Sequence, residues 1–301
     1  MILAPVIVFA FNRPDSLHNT LSSLRRNELA KDTDLFVFVD GPRNDSDAGK
    51  IAKVRNVLDG LDGFKSITIE YAEVNKGLAR SVIEGTTKVI NNYGKVIVVE
   101  DDLYVSESFL RFMNQMLDLY EHDARVMQIS GYGCLLNKKK YPYDVYLNER
   151  AHSWTWATWS DRWRTVDWAV KDFDLLKADR KMQRAFCKRG SDLYGMLKNY
   201  MEGKNNSWYI RFDYAMFKQR RYAVCPIRSL VRNDGFTSEA THCNVYNRYK
   251  VDFEECHDGD FNAPKYLHPD ERIMREAVKF WTLRYRVYGK IRTLLMKLGR
   301  F

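Results

Sequence analysis

The chain has 301 residues, of which 45% are hydrophobic and 29% are charged. This composition is typical of a globular protein with a substantial core, and it excludes a disordered chain. The formal net charge of +9 at pH 7 favours anionic partners, namely nucleotides, nucleic acids or acidic membrane surfaces. Five scattered cysteines without a Cys-x-x-Cys spacing argue against a disulfide framework and a structural zinc site, and they favour a reducing compartment.

The apolar start of the chain carries neither a basic segment nor a small-residue cleavage site, so it predicts a first strand rather than a signal peptide. No apolar run reaches the roughly 18 residues that a membrane span needs. We therefore expect a protein that is soluble or bound to a membrane surface.

Strand and helix patterns alternate along the first half of the chain. The predicted strands cover residues 5–11, 35–39, 66–72, 95–99 and 126–130. The predicted helices cover residues 14–27, 48–61, 77–92 and 106–120, with Ser106 as the N-cap of the last one. Strands separated by helices of this length predict an α/β fold with a mostly parallel sheet and helices on both faces.

The pattern changes from about Lys138 onward. Aromatic residues crowd positions 154–163, charged helical segments follow, and a further apolar strand is predicted at 222–224. No repeat or low-complexity linker separates the halves, so we predict one unit over residues 1–268, with halves at 1–131 and 132–268. Residues 269–301 are predicted to form a C-terminal extension of one or two basic helices.

Three consecutive carboxylates, Glu100, Asp101 and Asp102, follow the predicted strand 95–99. Charges are not tolerated inside a buried strand, so we expect them at its carboxyl end, where open parallel sheets form their ligand crevice. Clustered carboxylates suit a hard divalent cation, which prefers oxygen ligands and leaves positions for substrate phosphates. A solvated turn is the alternative. The cluster therefore predicts a metal site for a phosphate-bearing donor.

The segment from Val98 to Asp102 resembles the acidic motif of GT-A fold glycosyltransferases, nucleotide-sugar-dependent enzymes in which this motif binds manganese or magnesium. The Glu-Asp-Asp form is most similar to that of the N-acetylglucosaminyltransferase I family and of bacterial family 2-like sugar transferases. Phe-Asn-Arg-Pro at 11–14, Asp40 and the segment 75–80 also match, and the resemblance covers about residues 5–131. It implies a Rossmann-like GT-A catalytic domain over 1–268, with nucleotide-binding and acceptor halves.

The resemblance implies a role for each matching residue. Asp102 would be the direct metal ligand, Asp101 would support the metal through water or hold the sugar, and Glu100 would face the ribose or the sugar hydroxyls. The nucleotide would be bound by Phe11, Asn12, Arg13, Asp40 (at the uracil), Asn75, Gly77 and Arg80.

The residue types fit these roles, and each has a plainer alternative. Arg13 is an always-charged donor that can reach a nucleotide, or a surface arginine at a helix start. Asp40 could equally form the turn before Gly41-Pro42. Gly77 lets the backbone approach a ligand closely and begins a helix whose amides suit an anion.

Asp213 is the candidate general base of the second half, because inverting GT-A enzymes place an aspartate at a comparable point. A carboxylate can deprotonate an acceptor hydroxyl within hydrogen-bond reach, while the alternative is a helix N-terminal acid favoured by the dipole. Asp161, which also lies among aromatic residues, is the rival base.

Trp154 and Trp156 are predicted to line the acceptor or donor-sugar pocket, because aromatic rings pack on the apolar faces of sugars.

Trp159 and Trp163 are predicted to lie in the core, where large aromatics bury most area. His242 ends a Gly/Ser/Thr-rich stretch, and several GT-A enzymes use a late histidine as a metal ligand or diphosphate contact. Such a segment can also close over the donor as a lid, although a lone loop histidine is commonly incidental.

The C-terminal segment places apolar residues at helical spacing among many Lys and Arg residues. A basic amphipathic helix of this kind can lie in an anionic membrane interface, and the alternative is a helix docked on the domain or on a second subunit. The unusual density of Lys and Arg favours the membrane.

Together these features predict a metal-dependent, inverting hexosyl- or N-acetylhexosaminyltransferase. We expect Mn²⁺ or Mg²⁺ as cofactor, a UDP-sugar as donor, with N-acetylglucosamine suggested by the resemblance, and a glycan or lipid-linked acceptor in surface polysaccharide synthesis. The expected location is the cytoplasm, with peripheral contact at the inner face of the membrane. A sugar nucleotidyltransferase would need a Gly-rich loop after the first strand, which is lacking. A non-catalytic carbohydrate- or nucleic-acid-binding protein is the third alternative, but no nucleic-acid-binding motif is present.

Overall fold

The computed structural model describes residues 2–233 and 251–297. The strands are β1 (Val6–Ala10), β2 (Asp34–Val39), β3 (Ser66–Tyr71), β4 (Lys95–Glu100), β5 (Leu103–Val105), β6 (Val126–Ser130), β7 (Val145–Asn148), β8 (Trp156–Trp159), β9 (Tyr222–Pro226) and β10 (Val231–Asn233). The α-helices are α1 (Pro14–Arg25), α2 (Asp45–Leu58), α3 (Leu78–Tyr93), α4 (Phe109–Leu119), α5 (Ser160–Trp163), α6 (Phe173–Ala178), α7 (Arg180–Cys187), α8 (Leu193–Met201), α9 (Trp208–Lys218), α10 (Glu271–Val278) and α11 (Leu283–Lys297). Two 3₁₀ turns lie at Ala30–Asp32 and Lys279–Trp281.

Eight strands form one sheet in the order β3-β2-β1-β4-β8-β6-β9-β7. Strands β1 to β4 are parallel to one another, and β9 is parallel to β6. Strand β8 runs antiparallel between β4 and β6, and β7 lies antiparallel to β9 at the edge. The predicted α/β fold with a mostly parallel sheet is therefore confirmed. The sheet takes strands from both predicted halves of the chain.

The parallel strands β1 and β4 are neighbours in the sheet, and both are buried. All five residues of β1 are buried, and so are the four central residues of β4. Strands that are covered on both faces have near-continuous Val and Ile runs, which is why the sequence pattern identified them. Their carboxyl ends lie side by side, since Phe9 pairs with Glu100.

The tryptophan-rich segment forms a central strand and not a pocket wall. Trp156 is 0% exposed, its ring stacks on that of Trp163 with 5.5 Å between centroids, and Trp208 packs against it at 5.0 Å. The prediction that Trp156 contacts a sugar is therefore wrong, because β8 is inserted between β4 and β6 and covered by helices. The predicted core positions of Trp159 and Trp163 are confirmed.

A two-stranded antiparallel sheet of β5 and β10 lies directly after the acidic residues. Helix α4 then begins with Ser108, not Ser106, at its N-cap. Ser106 has another role, because its hydroxyl oxygen accepts a hydrogen bond from the Ser108 backbone N–H (3.2 Å) and its hydroxyl donates to the Glu255 carbonyl (2.9 Å). This side chain thereby joins the start of α4 to the segment that follows residue 250.

The C-terminal extension contains α10, the second 3₁₀ turn and α11. Asp270 caps α10, since its carboxylate accepts hydrogen bonds from the backbone N–H groups of Arg272 and Ile273. Helix α11 is joined to the domain by the Arg286 guanidinium, which donates to the Ser191 hydroxyl at 3.1 Å. In the described part of the chain, no helix combines the length and the apolar character needed to cross a bilayer.

Candidate active site

The acidic residues lie at the carboxyl edge of the parallel sheet, as predicted. Glu100 ends β4, and Asp101 and Asp102 form the turn into β5. The loop after β1, which carries Phe11 and Arg13, lies beside this turn because β1 and β4 are neighbours. The fold therefore brings two predicted site segments together from positions about 90 residues apart.

Arg13 joins the two segments. Its guanidinium contacts Asp101 Oδ1 at 2.6 Å and Asp102 Oδ2 at 2.8 Å, and the Phe11 backbone N–H donates to Asp101 Oδ2 at 3.2 Å. The second carboxylate oxygen of Asp102, Oδ1, is buried and accepts no hydrogen bond from the described residues. A buried carboxylate oxygen without a donor is costly, and it is suited to a cation.

Burial and the neighbouring carboxylates raise the pKa of Glu100 and of Asp101. Removal from water, followed by the charges of Asp102 and Asp101, raises the pKa of Glu100 to about 8. Burial also raises the pKa of Asp101 to about 6; the Asp102 charge adds to this and Arg13 opposes it. The electrostatic environment is therefore deficient in positive charge. A bound divalent cation would relieve the repulsion that these shifts record.

The carboxylates do not by themselves form a closed metal cage. Within residues 2–233 and 251–297, no group of three or more His, Cys, Asp and Glu side chains is arranged to hold an ion. His242, the predicted further ligand, lies outside the described residues. Asn233, nine residues before His242 in the sequence, pairs with Leu103, which is the residue after Asp102.

The Asp40 carboxylate accepts hydrogen bonds from a neighbouring loop and has no acceptor site left for the uracil of a nucleotide. Its carboxylate accepts four hydrogen bonds, from the backbone N–H groups of Gly41, Lys76 and Gly77 and from the Asn75 side-chain amide, at 2.8 to 3.0 Å. A carboxylate has about four acceptor sites, so none is left for a uracil N–H. The predicted base contact of Asp40 is therefore wrong in this structure. Asn75 and Gly77, which were predicted to bind the nucleotide, donate hydrogen bonds to Asp40.

Gly77 is the N-cap of α3 and has φ 74° and ψ 153°, a conformation that essentially only glycine adopts. We expect Gly77→Ala to lower the free energy of unfolding by roughly 1–3 kcal/mol, because the alanine Cβ strains this backbone. Urea denaturation measures the change. Gly49→Ala is the matched control, since Gly49 lies within α2 with open space around it. Equal effects of the two substitutions would contradict a specific requirement at Gly77.

Phe11 and Asn12 contact Arg43 and Asp47 at the start of α2, which the sequence did not assign to the site. The Asn12 amide donates to Asp47 Oδ1 at 2.7 Å, and Arg43 donates from Nε to Asp47 Oδ2 at 2.9 Å. The Arg43 guanidinium also lies 4.8 Å from the centroid of the Phe11 ring. The hydrogen bond from Arg43 lowers the pKa of Asp47 to about 2. The Arg43–Asp47 spacing of four residues was the only local signal of this ion pair.

Arg80 is exposed on α3, and its partner is another residue of the same helix. Its Nε lies 2.6 Å from a Glu84 carboxylate oxygen, and the other oxygen of Glu84 lies 2.8 Å from Lys76 Nζ. Glu84 and Lys76 line a cleft beside Asp40 and the end of β3. The structure therefore places Arg80 at the side of this cleft, paired with Glu84, and gives it no contact with the acidic turn.

Asp213 is enclosed within the acceptor half. It lies in the middle of α9, is 0% exposed, and accepts hydrogen bonds at Oδ1 from the Ala151 backbone N–H (2.7 Å) and the Arg189 guanidinium (3.1 Å). A general base must reach a substrate hydroxyl. In this conformation no acceptor can reach Asp213, so the structure contradicts the predicted base. It gives Asp213 the role of holding Arg189 and residue 151.

Asp161, the rival base, lies at the opposite edge of the sheet. It is exposed, pairs with Arg162 at 2.9 Å, and follows β8, whose last residue Trp159 pairs with Lys95 at the beginning of β4. Lys95 and Glu100 lie at opposite ends of β4, about 17 Å apart at a rise of about 3.3 Å per residue. Asp161 therefore cannot act on a substrate bound at the acidic turn.

Trp154 lies on the side of the sheet that carries the acidic turn. The pairing of Val98 with Trp156 continues toward the acidic turn, so Trp154 precedes β8 on that side. Its ring is half-buried and makes an edge contact with Tyr132, with 5.1 Å between centroids. An accessible aromatic face near the carboxyl edge is compatible with sugar binding.

The nearby His152 is expected to make stability depend on pH. Burial and the charge of Arg150 lower the pKa of His152 from 6.5 to about 3, so the folded protein holds it neutral. The unfolded chain binds the proton more readily, so this contribution is complete above about pH 6.5 and is lost as the pH falls toward 3. We expect a loss of about 2 kcal/mol at about pH 5. Urea denaturation of the wild type and His152→Gln at several pH values measures it; an unchanged pH slope in the variant would contradict the assignment.

Comparison with known proteins supports the assignment of the fold. The profile of the family described as "Glycosyl transferase family 2" matches residues 6–176, more than half of the chain. A search of curated proteins found no match. Three solved structures show partial similarity. A Pyrobaculum calidifontis mannosyltransferase in complex with GDP-Man and Mn²⁺ is 13% identical, with a TM-score of 0.35, over 52% of this chain and 44% of that one.

The other two structures are S. aureus TarS 1-349 in complex with UDP and a UDP-glucose pyrophosphorylase complexed with UDP-glucose. TarS is 19% identical, with a TM-score of 0.28, over 46% of this chain and 38% of that one. The pyrophosphorylase is 11% identical, with a TM-score of 0.37, over 74% and 90% of the two chains. The chain thus spans less than half the length of the mannosyltransferase and of TarS. On the family match and the topology of its sheet, this chain belongs to glycosyl transferase family 2 and has a GT-A fold.

Proposed function

We propose that this chain transfers a sugar from a nucleoside diphosphate sugar to a hydroxyl acceptor with a divalent cation, Mn²⁺ or Mg²⁺, bound at the acidic turn. One observation carries the proposal. Asp102 lies at the carboxyl edge with one carboxylate oxygen on Arg13 and the other buried without a hydrogen-bond donor among the described residues. That oxygen fits a cation ligand, and Mg²⁺-like sites commonly use one or two carboxylates together with substrate phosphates.

The charge balance of the turn supports a phosphate-bearing donor. Arg13 is the guanidinium in contact with Asp101 and Asp102, and it is about one-third exposed. With a cation on the carboxylates, Arg13 would be available to the donor diphosphate as a permanently charged hydrogen-bond donor. When bound, the cation supplies Lewis-acid stabilisation of the departing diphosphate. Asp101 supports this arrangement, and Glu100 faces the ribose or the sugar hydroxyls.

The donor nucleotide is proposed to be UDP, with a hexose or N-acetylhexosamine such as N-acetylglucosamine. The Asp40 carboxylate already accepts hydrogen bonds from its own loop. Recognition of the nucleotide base therefore depends on other groups around the cleft beside Lys76 and Glu84. Trp154 is proposed to contact the sugar or a glycan or lipid-linked acceptor. His242 is proposed to contact the metal or the diphosphate. The proposed stereochemical outcome is inversion.

Thermal shift of the full chain tests the donor and the metal together. A ligand that binds only the folded state raises the Tm by mass action, so a panel of UDP-, GDP-, dTDP- and CMP-sugars with Mn²⁺ ranks the donors. We expect the largest shift with a UDP-sugar, its loss when Mn²⁺ is chelated, and the same shift in the control Asp161→Asn. A shift that is independent of Mn²⁺, or no shift with any nucleotide sugar, would overturn the proposal.

A further inference from the structure

Helix α11 presents a continuous apolar stripe to solvent. The stripe consists of Leu283, Val287, Ile291 and Leu294, which are between 46% and 65% exposed. Their spacing of i, i+4, i+8 and i+11 places them on one face of the helix. The stripe is about 17 Å long at 1.5 Å per residue. Exposed apolar side chains that are contiguous in this way indicate an interaction surface.

The opposite face of α11 docks on the domain, so the stripe is held outward. Arg286 donates to the Ser191 hydroxyl at 3.1 Å, and the Tyr285 ring lies 5.3 Å from that of Phe280. Gly289, one turn further on, is buried. Among the described residues, the helix therefore has one docked face and one exposed apolar face.

Basic residues flank the stripe on both sides. On a helical projection of about 100° per residue, Arg284 lies beside Ile291, and Lys290 lies beside Leu283 on the other side. Both basic residues are exposed. From residue 279 to the last residue the sequence contains seven Lys and Arg residues and no Asp or Glu. Long basic side chains can extend from such a position toward anionic groups while their methylenes cover apolar surface.

We propose that the stripe of α11 is a docking surface for an anionic membrane. An apolar face flanked by Lys and Arg is the chemistry that lies in the interface of a bilayer with acidic headgroups. A second copy of this chain would place the same positive charges opposite each other, which disfavours association through this face. The proposal is independent of the proposed transfer reaction, because it concerns only where the protein lies.

Vesicle flotation of the full chain tests the proposal. The probes are vesicles of phosphatidylcholine alone and vesicles in which about a third of the lipid is phosphatidylglycerol. We expect binding to the anionic vesicles and little binding to the neutral ones. The double variant Ile291→Glu/Leu294→Glu should lose binding, because it places charge in the apolar stripe. Leu175→Glu is the matched control, since Leu175 is 69% exposed on α6 and lies outside the stripe.

A second variant separates charge from apolar contact. Arg284→Gln/Lys290→Gln should weaken partitioning to anionic vesicles by about 30-fold at low salt, since each basic residue near such a surface contributes about fivefold. The four substituted side chains are exposed, so each variant should keep the wild-type Tm. Anionic vesicle binding that persists in the Glu variant, or no vesicle binding by the wild type, would overturn the proposal. So would a dimer in sedimentation velocity that the Glu variant dissociates.

Discussion

Asp102→Asn is expected to lower kcat for sugar transfer about 100- to 1000-fold while leaving the fold intact. The substitution keeps the shape of the side chain and removes the charge on the buried oxygen that has no hydrogen-bond donor. Metal-assisted stabilisation of a leaving group contributes several kcal/mol, and each 1.36 kcal/mol is tenfold in rate. Release of UDP from a UDP-sugar in the presence of Mn²⁺ measures kcat, and circular dichroism checks the fold.

The matched control for this experiment is Asp161→Asn. Asp161 is an exposed carboxylate beside Arg162 at the far edge of the sheet, so we expect the kcat of Asp161→Asn to equal that of the wild type. If Asp102→Asn retained wild-type kcat, the acidic turn would not hold the cation. If Asp161→Asn lost activity instead, the site would lie at the opposite edge.

Asp213→Ala is expected to lower the free energy of unfolding by about 3–5 kcal/mol, because it leaves the buried Arg189 guanidinium without its carboxylate. Arg189 and Asp213 are both almost entirely buried, so solvent cannot compensate the charge. Urea denaturation measures the loss. Replacing both partners by apolar residues, in Asp213→Leu/Arg189→Met, should recover much of the stability, since breaking a buried pair costs more than removing it.

The same variants separate a structural role from a catalytic one. If Asp213 positions residues 151 and 189, then the double variant should regain activity in proportion to the folded fraction. A variant Asp213→Ala with wild-type stability and no activity would instead identify Asp213 as the general base, reached by a conformation other than the one described. Measuring kcat on the folded fraction distinguishes the two results.

The sequence predicted the first half of the fold because its signals are local. Strands β1 and β4 have continuous apolar runs, and the helices between them show apolar periodicity, so element type follows from neighbouring residues. The acidic turn was also predictable, because three charges cannot continue a buried strand. Helix starts were less accurate: α4 begins near Ser108 and not at Ser106, because Ser106 hydrogen-bonds to a segment about 150 residues away.

The second half could not be predicted because its structure depends on distant pairing. The Trp-rich segment around Trp156 has no local pattern that distinguishes an aromatic pocket wall from a central strand; only its pairing with β4 and β6 decides. The carboxylates posed the same problem. Asp40 and Asp213 have the residue type of ligand-binding acids, but Asp40 is bonded to Asn75, 35 positions away, and Asp213 is buried against Ala151, 62 positions away. A side chain's availability is a property of the folded state.

Direct measurement of Mn²⁺ binding tests whether Asp102 holds a metal ion. Electron paramagnetic resonance distinguishes free from bound Mn²⁺, and titration of the full chain with UDP present, corrected for the Mn²⁺ that UDP alone binds, gives the number of sites and the Kd. We expect one ion per chain, bound more tightly with UDP than without it, and loss of this site in Asp102→Asn. Equal binding by the wild type and Asp102→Asn, or no protein-bound Mn²⁺ with either UDP or GDP, would contradict it.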